Sequence, residues 1–575
     1  MKGEQVAADW RWSVKTALSA GAGALAVLAL GAWTMARAQG PDAPIIRAET
    51  SQGAYLAGET ALGMGDTRTA AAFFQRAADM APSQAEPRER AFSVTLIAGD
   101  VDRAAQFAPR KGQSDPAAVA LGELVIAVSD LANGRAADAD QILGGPSLVQ
   151  TGEAAAKLLR PWAAAAAGDW KVALAQPAST GDKFTDAFAV LGRGLLLEHA
   201  GKLDEADAVF KGLKPASESL FAQIYGGFLE RHGRRPEAIA LYQGVLKAAP
   251  NDVAMRLSLK RAEAGGPPPA APNLASGAAQ ALTGPAALLL AQRQPEAGLS
   301  YLRLALRLDP NRSEAWVLLG ETLEGLSDND GARAAFAKVQ PTSDDYAAAR
   351  ARLALDYAQN KRKDEALKVA RETVAALPDD PSSKLVLAEL LRDSERYDEA
   401  LAILNGLLAN QKEDTSSKAK LLYLIGANEE RSGKWPEAEG HLKAALAISP
   451  NDPEILNYLG FAWADRGGHL DEALAMLSKA VDLAPDNAAI IDSYGWAKYR
   501  LKDYVGAVPI LERAATLDPT EPECNTHLGD AYWRVGRKLE AEFQWNYALT
   551  LPDVEPKLKA AVEQRLHDHR PPDAR

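Results

Sequence analysis

The sequence is almost free of cysteine, and this scarcity excludes two kinds of protein. Cys524 is the only cysteine among 575 residues, so the chain cannot form an internal disulfide. No cysteine stands near the N-terminal hydrophobic segment, where a lipoprotein would carry its lipid. We therefore expect neither a disulfide framework nor a lipid anchor.

Sequence motifs for catalysis are also missing. The chain has no phosphate-binding glycine loop with Lys-Ser/Thr, no Gly-x-Ser-x-Gly elbow and no His-Glu-x-x-His zinc motif. The 7 histidines are scattered, and the pair His567 and His569 stands in a polar terminal segment that is typical of solvent-exposed residues. We predict a protein that is not an enzyme and that needs no cofactor and no metal.

Positive charge is in deficit, with a formal net charge of -12. The first 38 residues carry a net +2, so the chain without them would carry -14. A negative surface disfavours phosphate backbones and anionic lipid headgroups. We predict no nucleic-acid partner, and membrane contact only through the N-terminal segment if that segment stays uncleaved.

The N-terminal segment has the features of an export signal. Between Lys15 and Arg37 lie 21 residues without a charge, followed by Ala36-Arg37-Ala38, a plausible cleavage site. This favours a signal peptide over residues 1–38. The alternative is an uncleaved membrane anchor, because the run is long enough to span a bilayer. Either alternative predicts a periplasmic protein, anchored to the inner membrane if the segment is retained.

Strand-type alternation does not persist anywhere, and small residues recur instead at a fixed period. Ala473, Ala507 and Ala541 stand 34 residues apart. Within each copy, apolar residues recur at three- and four-residue spacing, which predicts two amphipathic helices. Repetition at this period predicts stacked helical hairpins.

The copy that begins at Ser313 shows which family the repeats resemble. Its marker residues are Trp316, Leu319, Gly320, Ala332, Phe336 and Pro341. This pattern resembles the tetratricopeptide repeat. The resemblance implies an all-α fold, an α-solenoid of stacked helical hairpins that forms a superhelix.

A change in composition divides the repeats into two arrays. The stretch GGPPPAAPNLASG has four prolines, three glycines and no charge, which is typical of a linker. We predict a degenerate N-terminal array, a Pro/Gly-rich linker, a C-terminal array, and a capping helix with a polar tail. Their ranges are 39–264, 265–278, 279–553 and 554–575.

In the resembled family, the first helices of the hairpins line a concave groove. The matching positions in the last three copies are Asn457, Phe461, Asp465, Asp492, Trp496, Tyr499, Thr526, Asp530, Trp533 and Arg534. Aromatic residues alternate there with short polar ones, which suits an extended or helical peptide. The alternative is that Phe461, Trp496 and Trp533 pack on the neighbouring hairpin.

The predicted function is a protein-interaction scaffold or adaptor of the bacterial cell envelope. The amino-acid sequence of the C-terminal repeats is similar to that of bacterial envelope repeat proteins. Some of these proteins resemble adaptors for a processing protease. This implies that the partners are other proteins, such as an envelope protease or an assembly-machine component. Two alternatives are a scaffold of a polysaccharide assembly or secretion machine and, less favoured, a glycan-active enzyme with a helical superhelix.

Overall fold

The computed structural model describes residues 50–572, apart from 152–153, 215–218, 251, 412–414 and 553. The predicted signal peptide or membrane anchor lies outside the described residues, as do the first residues of the predicted N-terminal array.

All regular secondary structure in the described part of the chain is helical, in 31 helices. The first fourteen are α1 (Ser51–Gly63), α2 (Thr67–Met80), α3 (Ala85–Ala98), α4 (Val101–Gln106), α5 (Pro116–Ala132), α6 (Ala136–Leu143), α7 (Pro146–Thr151), α8 (Ala154–Ala166), α9 (Trp170–Ala173), α10 (Lys183–His199), α11 (Leu203–Gly212), α12 (Ser219–Arg231), α13 (Arg235–Ala248) and α14 (Val253–Glu263). The next eight are α15 (Leu274–Ala291), α16 (Pro295–Leu308), α17 (Ser313–Gly325), α18 (Asn329–Phe336), α19 (Tyr346–Gln359), α20 (Lys363–Ala376), α21 (Pro381–Asp393) and α22 (Tyr397–Leu408). The last nine are α23 (Ser416–Arg431), α24 (Trp435–Ile448), α25 (Pro453–Arg466), α26 (Leu470–Leu483), α27 (Ala488–Arg500), α28 (Tyr504–Leu517), α29 (Pro522–Arg534), α30 (Lys538–Thr550) and α31 (Pro556–Asp568).

Short polar side chains in the sequence set where the first helix of a hairpin begins. Asp452 and Asn487 accept hydrogen bonds from the main-chain N–H groups of Ile455 and Ile490, which lack partners within the helix. Asp380 caps α21 in the same way. A recurring Asp or Asn between apolar helices therefore sets where each repeat begins.

Close contact between the two helices of a hairpin depends on glycine. A Cβ atom on Gly495 would lie 2.7 Å from Leu511 Cγ, and one on Gly529 would lie 2.5 Å from Trp545 Nε1. Both distances are too short for non-bonded atoms. The glycines in the Leu-Gly position therefore let a large side chain of the second helix reach the axis of the first.

The first helices of the hairpins lie on the inner side of the C-terminal array. Helix α25 contacts α27, and α27 contacts α29, whereas successive second helices form no closely packed pair in this described region. Elements that meet their equivalents in the next repeat lie on the more strongly curved side. We call this side the inner face.

The first hairpin after the linker packs against the N-terminal array. Helix α15 contacts α8 and α10, and α16 contacts α3 and α5, which are first helices of their hairpins. One continuous hydrophobic core therefore includes residues from Ala61 to Ile425. Residues 265–273 are irregular, and α15 begins inside the range predicted as linker.

Two arginines of α16 fix this contact across more than 200 residues of sequence. Arg303 Nε donates to the Ile97 carbonyl at 2.8 Å, and burial lowers the pKa of Arg303 to about 10. Arg307 Nη2 lies 2.9 Å from Asp102 Oδ2. The inner face of the N-terminal array is thus occupied by the chain itself.

Helix α15 is the one described helix whose length and composition would allow it to cross a membrane. Its packing gives another reason for the apolar composition. Gly277 lies against the Trp162 ring and Gly284 against the Phe188 ring. The helix is apolar where it fills the space between α8, α10 and α16.

Candidate peptide-binding site

A cleft of about 300 Å³ opens between α23 and α25 on the inner face. It contains two residues predicted from the sequence to bind a peptide, Phe461 and Asp465. We call it the Phe461 cleft. Its lining residues are Glu430, Arg431, Tyr458, Phe461, Ala462, Asp465 and Arg466.

The back of the cleft is aromatic and holds a hydroxyl donor. Tyr458 meets Tyr423 edge to face, with ring centroids 5.5 Å apart, and its hydroxyl donates to Glu430 Oε2 at 3.2 Å. Burial raises the pKa of Tyr458, and the Glu430 carboxylate raises it further. The phenol therefore stays neutral, and the wall that it forms with Phe461 is apolar.

Ion pairs between successive first helices hold the rim of the cleft. Arg466 Nη2 lies 2.6 Å from Glu430 Oε1, and its guanidinium stacks 4.1 Å from the centre of the Trp435 ring. Arg500 Nη1 lies 2.5 Å from Asp465 Oδ1. Asp465 is exposed, but its carboxylate is already paired with Arg500.

Arg431 is the cation at the cleft that is not paired with a carboxylate among the described residues. It is exposed at the end of α23, and its side chain is hydrogen-bonded to Tyr458. A guanidinium offers five N–H donors in a planar fork that matches a carboxylate. The cleft can therefore bind an anionic group beside an apolar one.

Asn457 carries a buried acceptor on α25. Asn457, Phe461 and Asp465 are spaced four residues apart on α25 and so share one face. Asn457 is half-buried, and its Oδ1 atom has no hydrogen-bond partner among the described residues. Because this oxygen is itself buried, its lack of a partner costs free energy in the folded state and does not mark it as a contact for a ligand.

On α27, the predicted binding residues pack against the next hairpin. The Trp496 ring stacks on His527 of α29 at 4.0 Å and on Tyr499 at 4.7 Å. His527 Nδ1 lies 2.8 Å from Asp492 Oδ2. Asp492 and Tyr499 are 7% and 2% exposed, so neither can contact a peptide in this arrangement.

On α29, the predicted binding residues are covered by the C-terminal helix and the segment after it. Thr526 and Asp530 are each 1% exposed, and Asp530 pairs with Arg565 of α31 at 2.8 Å. Trp533 Nε1 donates to the His569 carbonyl at 2.7 Å, and Arg534 Nη2 to the Pro572 carbonyl at 2.9 Å.

The structure therefore corrects the predicted site in four places. Asp492, Tyr499, Thr526 and Asp530 are buried because neighbouring helices cover the positions that the repeat pattern assigns to a groove. Trp496, Trp533 and Arg534 contact other parts of the chain. Asn457, Phe461 and Asp465 stay on the inner face beside or within the cleft.

Comparison with known proteins agrees with this architecture. Residues 273–553 match the family model described as tetratricopeptide repeat. This part of the chain belongs to the tetratricopeptide repeat family. Over 110 residues the chain is 33% identical to a TPR repeat-containing protein of Pseudomonas aeruginosa. That alignment covers 19% of this chain and only 18% of the relative.

Two solved structures align with the chain at low similarity. The APC/C hetero-tetramer Cut9–Hcn1 aligns with a TM-score of 0.35 at 15% identity, covering 90% of this chain and 96% of that chain. A tetratricopeptide repeat protein from Parabacteroides merdae aligns with a TM-score of 0.37 at 14% identity, covering 44% of this chain and 97% of that chain. Tetratricopeptide repeat proteins generally bind other proteins and are typically non-catalytic scaffolds.

Five residues of the cleft were missed by the sequence argument, namely Glu430, Arg431, Tyr458, Ala462 and Arg466. A signal for two of them exists in the tetratricopeptide repeat frame. An arginine ends each of the first helices α23, α25, α27 and α29, at successive intervals of 35, 34 and 34 residues. Two of these arginines, Arg466 and Arg500, form ion pairs with the preceding first helix along the inner face.

Metal chemistry would require a cluster of ligands, and thiol chemistry would require an accessible cysteine. No cluster of three or more His, Cys, Asp or Glu side chains in the described ranges could hold a metal ion. Cys524 is 2% exposed, and burial raises the pKa of its thiol. A protonated, buried thiol is a weak nucleophile.

The partly buried pair of His527 with Asp492 makes the stability of the C-terminal repeats depend on pH. Burial lowers the pKa of His527, but the Asp492 carboxylate outweighs this effect, aided by Asp530 and Glu523. The folded-state pKa is therefore above its ordinary value. The pair adds stability that is complete below the unfolded pKa of about 6.5 and is lost as the pH rises through the folded-state pKa.

We expect the thermal unfolding midpoint to fall as the pH rises from 6 through the raised pKa of His527, since deprotonation removes the charged pair. Scanning calorimetry of the wild type and a His527→Gln variant measures this contribution. The variant should show a smaller fall over the same range. Equal pH dependence in both proteins would contradict the assignment.

Proposed function

We propose that this protein is a non-catalytic scaffold or adaptor of the bacterial cell envelope that binds peptide segments or helices of other proteins on its inner face. The observation that carries the proposal is the Phe461 cleft, about 300 Å³ in volume. It combines an apolar wall, a paired rim and the guanidinium of Arg431. The 21 uncharged residues between Lys15 and Arg37 support the export of the chain.

The cleft fits a peptide that carries an apolar side chain beside a carboxylate. Phe461 is half-buried and offers part of its ring, next to the buried Ala462. Arg431 would pair with the carboxylate of the peptide.

The first test is a crosslinked pull-down of the full-length protein from intact cells, with complexes recovered from the periplasmic and membrane fractions. A Phe461→Ala variant should lose the partner, or bind it at least about tenfold more weakly, because aromatic anchors contribute roughly 2 kcal/mol or more. The variant should remain folded with only a small fall in its unfolding midpoint, since the ring is only half-buried. An Arg431→Ala variant should weaken the same partner.

A matched control is Val505→Ala on α28, a side chain that is 79% exposed and remote from the cleft. It should leave the partner bound. If Phe461→Ala and Val505→Ala retain the same partners with the same affinity, the cleft is not the binding site. A protease among the lost partners would favour the adaptor role, and a synthase or outer-membrane channel would favour the assembly-machine role.

A further inference from the structure

The chain folds its own C-terminal segment onto the inner face of the last repeat. Helix α31 ends at Asp568, and His569 adopts a left-handed conformation with φ 52°. The carbonyl of His569 then accepts from Trp533 Nε1, and that of Pro572 from Arg534 Nη2. Pro571, between them, is buried. We call residues 569–572 the tail segment.

The surface next to the tail segment is a continuous row of aromatic rings. Trp496 stacks on His527 and Tyr499, and Tyr499 meets Tyr504 edge to face at 5.1 Å. Arg534 closes the row, with Nε 3.1 Å from Tyr499 Oη and its guanidinium 5.6 Å from the centre of the Tyr504 ring. We call these residues the aromatic row.

The contacts between this surface and the tail segment use the chemistry of an extended proline-containing chain. Trp533 and Arg534 supply only N–H donors, and they bind main-chain carbonyls rather than side chains. Proline has a carbonyl but no N–H, so a Pro-Pro segment offers acceptors and leaves no donor unpaired. Such segments are preformed in an extended helix and dock onto aromatic surfaces at low entropic cost.

We infer that the tail segment is an internal ligand, and that the face formed by Trp533, Arg534 and the half-buried rings of Trp496 and Tyr504 binds an extended proline-containing segment of a partner protein when the tail segment leaves. This site is separate from the Phe461 cleft and does not depend on it. The tail segment competes with the partner from a tethered position, at an effective concentration of about millimolar for a short connection. Partner binding to the full chain is therefore weakened by the tail.

The test uses a fluorescent synthetic peptide with the sequence HDHRPPDAR, which is that of residues 567–575. Fluorescence anisotropy compares its affinity for the full chain and for a variant that lacks residues 569–575. We expect the shortened variant to bind at least about tenfold more tightly, because the tethered competitor is gone. A peptide with both prolines changed to glycine should bind more weakly than the original.

Two variants separate this site from the Phe461 cleft. Trp533→Ala in the shortened protein should abolish peptide binding, whereas Phe461→Ala should leave it unchanged. If the shortened protein is destabilised, the full-length Pro571→Gly/Pro572→Gly variant gives the same comparison. Equal affinity of the full chain and the released variants, or equal binding of both peptides, would overturn the inference.

Discussion

A Gly277→Ala variant is expected to lose about 3 kcal/mol of stability, at the upper end of what adding a methyl group to a packed interior costs. A Cβ atom at this position would lie 2.0 Å from Cζ3 of Trp162 and 2.1 Å from Cη2. The Trp162 ring is 2% exposed and is held within the core, so it has no free space in which to move aside. The helices α8 and α15 must therefore separate.

This separation would act where the two arrays meet. Helix α15 packs on α8 and α10, and the adjoining α16 carries Arg303 and Arg307 into the N-terminal array. A displaced α15 would weaken these contacts together. We therefore expect residues 265–273 to become sensitive to limited proteolysis, in addition to a lower midpoint of denaturant unfolding.

A matched control is Gly244→Ala in α13, where a Cβ atom would meet no other atom within 4 Å. Alanine there should be neutral or stabilise by about 0.5 to 1 kcal/mol, because it reduces the freedom of the unfolded chain. If both variants unfold at the same denaturant concentration, α15 does not depend on close contact with Trp162.

The hairpins could be predicted from the sequence because their determinants are local and periodic. The spacing of Ala473, Ala507 and Ala541 gave the repeat, and each lies fully buried at the contact between two helices. Trp463 and Trp545, which the repeat pattern places in the packing positions, are 7% and 0% exposed. Residues that recur every 34 positions therefore indicate the helix–helix contacts that each repeat forms.

Contacts that occur once leave no such pattern. The ion pair of Arg307 with Asp102 joins residues 205 positions apart, and nothing in either repeat distinguishes these side chains from solvated ones. The packing of α15 and α16 on the inner face of the N-terminal array was therefore not predicted. Hydropathy alone made α15 similar to a membrane span.

The candidate site was predicted in part for the same reason. Repeat positions identified the inner helices correctly, but they could not show which positions the next helix covers. Tyr499 and Asp530 occupy binding positions in the frame and are buried beneath Arg534 and Arg565. Phe461 remains on the cleft because α27 contributes no side chain to its lining.

Occupation of the inner face also explains where a partner can bind. The N-terminal part is covered by α15 and α16, and the last repeat by α31 and the tail segment. The Phe461 cleft lies between these two regions. A partner that needs preformed access would therefore meet the cleft first, and a proline-containing partner would gain its site only by displacing the tail segment.

An Asp530→Ala variant is expected to lose about 3 to 5 kcal/mol, because it removes one partner of a buried ion pair and leaves the other without compensation. Asp530 is 1% exposed. Its two oxygens lie 2.8 and 2.9 Å from Nε and Nη2 of Arg565, and Oδ1 also accepts from Trp545 Nε1 at 2.9 Å. Alanine would leave Nε and Nη2 of the Arg565 guanidinium and the Trp545 indole N–H without their acceptors.

The loss should be concentrated in α31, since Arg565 is the residue by which this helix reaches Asp530. Hydrogen exchange of residues 556–568 should become faster in the variant, while exchange in α25 stays unchanged. Asp482→Ala, an exposed position on α26, is the control and should alter neither quantity. A double variant that also carries Arg565→Ala should be less destabilised than the sum of the two single variants, because the unpaired charge is then absent.

The same variant links the stability of α31 to the inner face. Release of α31 would also release the tail segment from Trp533 and Arg534, so Asp530→Ala should bind the proline-containing peptide more tightly than the wild type despite its lower stability. A variant damaged at random would lose both stability and binding. Lower stability together with tighter peptide binding would therefore be specific to a helix that holds its own tail over a binding surface, and loss of both would count against it.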